Sequence, residues 1–139
     1  MKLMHANLYF HPDAGRREAL RLGSLLFIKD EEDTQNDSCV VGFYQAEGSP
    51  LISAQRATDD EFFSTIFKDF DGYINYVASQ THCTRELSQE QVALNFIANL
   101  PQNLRATNPE GWPPSRVFAE AATERQPISV HPIRQLQAV

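Results

Sequence analysis

One stretch constrains this chain more than any other: Phe62, Phe63, Ile66, Phe67, Phe70, Tyr73, Ile74 and Val77 recur at three- and four-residue spacing. That spacing puts all of them on one side of an α-helix, a wide apolar face that must be buried against another layer. Just before it, Thr58 and Glu61 stand at capping-box separation, and Asp59 and Asp60 lie where a helix dipole favours negative charge. The pattern predicts a helix over about 59–79, with Phe63, Phe67, Phe70 and Ile74 in the main core. Gly72 marks a kink or a close approach within it.

A second helix is predicted over about 89–100. Ser88 and Gln91 form its capping box, and Leu87 stands ready to staple onto Val92. Val92, Ala93, Phe96, Ile97 and Leu100 make its buried stripe, and Pro101 ends it.

The N-terminal part reads differently. Met4, Ala6, Leu8 and Phe10 alternate with Leu3, His5, Asn7 and Tyr9, which is the period of a strand. Residues 16–24 fit helix or strand, but Leu25 to Ile28 suit a strand buried on both faces, so a strand is expected over about 20–29. Cys39 to Tyr44 form a β-branched and aromatic run, separated from it by the polar loop 30–37. Leu51 to Gln55 read as a further short strand, and 102–114 as loop. A short helix follows from Ser115 to about Thr123, then a proline-containing tail from about 125 with Ile128 to Val130 as an edge strand.

Strands first and helices after define the α+β class. The expected architecture is one domain over 1–139. It is a small antiparallel sheet of three or four strands with the two main helices on one face, plus a short C-terminal helix. A chain of 139 residues can build such a core without staples. Cys39 and Cys83 are therefore read as reduced thiols rather than a disulfide framework. The apolar run near the N-terminus is broken by His5 and Asn7, leaving no signal-peptide core, and no run approaches membrane-spanning length. The expected location is cytoplasmic.

Charge narrows the partners. The net charge is −6, and all of it lies in residues 1–71, with 13 acidic and 7 basic side chains. Phosphate backbones repel such a chain, so duplex nucleic acid is not an expected partner, nor is a membrane. Arg16, Arg17 and Arg21 form the one basic cluster, with acidic residues close behind.

Motifs for chemistry are missing. The glycines are isolated, so no phosphate cradle or serine elbow can be written. No two histidines stand at metal-ligand spacing, and no metal or cofactor is expected. Two functional readings follow. The favoured one is a non-catalytic, acidic protein-interaction module, a regulator, inhibitor or adaptor. Its partner surface would be basic, and Asp30, Glu31, Glu32, Asp33 and Asp37 would steer it. Self-association is left open. The alternative is a small-molecule or enzymatic pocket between the sheet and the aromatic helix, with His5, His82 and Cys83 near its mouth.

Overall fold

Alternation in the first strand divides the molecule into two sides. In the computed structural model, which describes residues 2–13, 18–29, 39–84, 86–125 and 127–133, strand β1 (Lys2–Phe10) sends Ala6, Leu8 and Phe10 into the larger core and Leu3 to the opposite face. β2 (Leu20–Lys29) pairs antiparallel with β1 and with β3 (Cys39–Gln45), and its middle residues are buried on both faces, as the apolar run predicts.

Helices follow: α1 (Pro50–Ala57), α2 (Glu61–Lys68), α3 (Phe70–Ser79) and α4 (Gln89–Ala98). The chain then returns to the sheet through β4 (Leu104–Ala106) and β5 (Glu110–Trp112), crosses it as α5 (Pro114–Glu124), and ends as β6 (Ser129–Ile133). The sheet runs β4-β1-β2-β3-β6, with β5 also on β1, and every pairing is antiparallel. The α+β class is as expected, but the described residues form six strands rather than three or four. β4 and β5 lie in the stretch expected to be loop. At three residues each they are too short for a period-2 signal, and they exist because β1 offers them a free edge.

Two further expectations fail for local reasons. Leu51 to Gln55 form helix, not strand, because Pro50 at the first turn pre-sets the helical φ. The single helix over 59–79 is in fact two. Asp69 adopts φ −138°, ψ 68°, and its carboxylate accepts from the Gly72 N–H at 3.1 Å, closing α2 and capping α3. A Cβ at Gly72 would run into that carboxylate, so glycine there permits the new cap. The Thr58–Glu61 capping box does not form. Thr58 Oγ1 accepts from the Asp60 N–H, and Asp60 becomes the cap by accepting from the Phe62 N–H at 2.8 Å. The Ser88–Gln91 box forms as expected.

The apolar face survives the break. Phe63, Phe67, Phe70 and Ile74 are all buried in the core shared with β1, β2, β3 and α4. Cys39 and Cys83 are buried in the same core and unbridged, and burial pushes the Cys39 thiol up to about 12. The short C-terminal helix, α5, covers the other side of the sheet. α5 lies on it through Val117 and Ala121, against Leu3, Leu26 and Tyr44.

Candidate functional site

Beneath α5 the sheet carries polar residues where a second apolar face would otherwise be. His5 and Asn7 come from β1, Arg21 and Ser24 from β2, and Tyr44 from β3. In a regular strand Arg21 and Ser24 would point to opposite faces. The register with β1 shifts between Leu8 and Tyr9, which pair with Gly23 and Arg21, so Leu22 is an extra residue. That bulge turns Arg21 to the side of Ser24. A Cβ on Gly23 would collide with the Tyr44 carbonyl oxygen, so the bulge needs glycine.

The groups are joined into one network. Arg21 donates through Nη2 to Ser24 Oγ at 2.9 Å, through Nε to Asn7 Oδ1 at 3.3 Å, and through Nη1 to Glu124 Oε1 at 2.7 Å. The other Glu124 oxygen accepts the Glu47 N–H at 2.7 Å. Tyr44 donates its hydroxyl to Glu120 Oε1 at 3.0 Å, with His5 Nε2 3.6 Å from the same oxygen. The His5 ring stacks on Trp112 at 3.6 Å, and the Arg116 guanidinium covers the far face of the same stack at 3.6 Å from the Trp112 ring.

Burial sets the protonation. It holds His5 below its usual 6.5, with Arg21 and Arg116 acting the same way and Glu120 opposing. Burial also pushes the Tyr44 hydroxyl up to about 12. Glu124 is held below the ordinary carboxylate value by its bonds from Arg21 and the Glu47 N–H. The neutral His5 has a consequence for stability. Between its depressed native pKa and 6.5 the unfolded chain binds the extra proton, so stability is expected to fall as pH drops below 6.5. A second loss follows below about 4.5, as protonation removes the advantage of Glu124. Urea midpoints taken across pH check both, and His5→Gln should flatten the upper limb alone. An unchanged upper limb in that variant would assign the loss elsewhere.

The candidates read from sequence are not brought together. His5 joins this network, whereas Cys83 is buried in the core on the other side of the sheet and His82 is exposed. Between the sheet and the aromatic helices Phe10 and Phe43 pack against Phe67 and Phe70, and beside them lies a cleft of about 230 Å³ lined by Phe43, Gln45, Leu51, Asp71, Pro127 and Ser129. Asp30, Glu31, Glu32, Asp33, Asp37, Arg16 and Arg17 lie outside the described residues. Tyr44, Ser24, Trp112, Glu120 and Glu124 went unread. The first two could have been found by continuing the period-2 phase across β2 and β3, but nothing local ties the two glutamates to the sheet. Elsewhere, Ser129 and His131 both bond to the Asp71 carboxylate, the latter at 2.8 Å. A nucleophilic triad needs the imidazole in the middle, and here the carboxylate is.

The second feature is on the surface of α2 and α3. Phe62 is 53% exposed and Tyr76 60%, and Tyr73 bridges them with ring centroids 6.3 and 6.5 Å away. Five carboxylates and one lysine accompany them between residues 58 and 81. Among the described residues no helix is long and apolar enough to cross a membrane, and no three metal-ligating side chains converge. No family model matches the chain, and no curated protein or solved structure matches it either.

Proposed function

We propose that this chain is a non-catalytic, acidic protein-interaction module that docks a basic protein segment along Phe62, Tyr73 and Tyr76. The exposed aromatic ladder carries the reading. Two large rings more than half exposed on adjoining helices cost the isolated fold hydration and return little packing. Tyrosine and phenylalanine give large, rigid contact area, which is what interface anchors provide. The surrounding charge selects the partner. Asp59, Asp60, Glu61 and Asp69 are exposed on the same helices, against Lys68 alone, so arginine and lysine are the complementary side chains. Guanidinium groups also stack on aromatic faces. The acidic run from Asp30 to Asp37 adds carboxylates of the same sign. A cytoplasmic setting suits the reduced Cys39 and Cys83.

Arg21, Tyr44, Glu120 and Glu124 support a non-catalytic reading because they pair with one another across the sheet and α5. The test is binding of arginine- and lysine-containing peptides, followed by amide shifts in the labelled full chain. Shifts are expected to concentrate on α2 and α3, and affinity should fall at least ten-fold in Phe62→Ala/Tyr76→Ala. It should also weaken as salt is raised. Shifts confined to other elements, or no binding to any such peptide, would overturn the proposal.

A further inference from the structure

The network beneath α5 has a division of labour that simple helix packing does not require. Its directed donors come from the sheet side: Arg21, Tyr44 and the Glu47 N–H. Both carboxylates come from α5, where Glu120 and Glu124 stand one turn apart. The arginine fork is held from behind by Asn7 and Ser24, which fixes its direction whether or not a carboxylate is present. Against this, the apolar hold of α5 is slight. Val117 and Ala121 are its buried residues, and Phe118 is 62% exposed. The helix starts after Pro113 with no side-chain cap, and ends at Arg125 with φ 56°, a left-handed conformation that non-glycine residues adopt at a cost.

A helix that seats two carboxylates in a prepared donor site, with two buried apolar side chains beside them, can be displaced by two other carboxylates. We propose that the sheet floor beneath α5 is a receptor for a small dicarboxylate, and that Glu120 and Glu124 occupy it in cis, making α5 an autoinhibitory cover. Ligand entry and release of α5 are then one event. The apparent affinity equals the intrinsic affinity reduced by the fraction of chains with α5 released. This site lies across the sheet from the aromatic ladder and does not depend on the docking proposal.

Glutarate is the probe, titrated into the full chain while amide hydrogen exchange is followed. Exchange is expected to speed up in α5 and to stay unchanged in β2 and β3. Glu120→Gln/Glu124→Gln removes the internal competitor and leaves the receptor intact, so glutarate should bind it at least ten-fold more tightly than the wild type. If that variant does not fold, Glu120→Gln keeps the Arg21–Glu124 contact and allows the same comparison. Arg21→Lys keeps the charge but loses the fork, and should weaken binding at least ten-fold. Glutarate binding no tighter in the glutamine variants would make the network a structural clasp. Equal release of α5 by chloride at matched ionic strength would show salt screening, and would overturn the proposal as well.

Discussion

Phe67→Ala is expected to destabilise the fold by about 3–5 kcal/mol, the cost of deleting a buried phenylalanine whose site cannot collapse. Phe67 is 4% exposed and sits at the centre of a ring cluster. Its centroid is 4.7 Å from Phe10, which it meets edge-on, 5.8 Å from Phe70 and 6.2 Å from Phe63. These neighbours belong to β1, α2 and α3, so no single element can move to fill the space. Urea unfolding with an unchanged slope measures the loss. A loss below about 1 kcal/mol would mean that this face is not the core. Phe62→Ala, five residues earlier in the same helix, makes the comparison sharp. Its ring is 53% exposed, so the same chemical change should cost under about 1 kcal/mol while abolishing a docking contact.

Gly23→Ala should cost about 3 kcal/mol, the upper end of the usual range for overpacking, although it adds a single methyl group. The added Cβ would meet the Tyr44 carbonyl oxygen, and it would also lie 3.0 Å from the Gln45 Cα. Both atoms are backbone of β3, which pairs with β2 from Gly23 to Lys29, so relief means parting the two central strands. Gly23 also flanks the bulge in the β1–β2 pairing that aims Arg21, so a shift of its backbone should loosen the α5 network with the sheet. Gly111→Ala is the control, because a Cβ there meets nothing within 4 Å. It should change stability by no more than about 1 kcal/mol. Similar losses at both positions would mean that the collision does not govern the effect, because the lower unfolded-state entropy of alanine works in the stabilising direction at both. Thermal unfolding by circular dichroism separates the two outcomes.

Long elements with a strong period were readable before any coordinates. The aromatic stripe places Phe63, Phe67, Phe70 and Ile74 in the core, and each is buried there. The alternation of β1 places His5 and Asn7 on the face opposite Phe10, which is the face of the polar network. The Ser88–Gln91 box opens α4 as its spacing requires. Short-range rules failed where two local interactions compete. Asp69 offers a backbone N–H its carboxylate, and that cap wins over one more turn of continuous helix. Thr58 similarly satisfies Asp60 before it can reach further along the chain.

What the sequence by itself determined is the set of faces: which side of each long strand and helix is apolar, and hence the α+β class. Those faces arise from covalent periodicity, two residues per strand repeat and 3.6 per helical turn, and need no partner to be defined. Which faces meet was decided only in three dimensions. β4 and β5 are strands because β1 had an unpaired edge within reach. Arg21 and Ser24 share a side because the pairing of β1 with β2 accommodates one extra residue. Glu124 meets Arg21 across 103 positions of sequence, and Tyr44 meets Glu120 across 76. Such contacts depend on the crossing of α5 over the sheet, a geometry that no window of neighbouring residues contains.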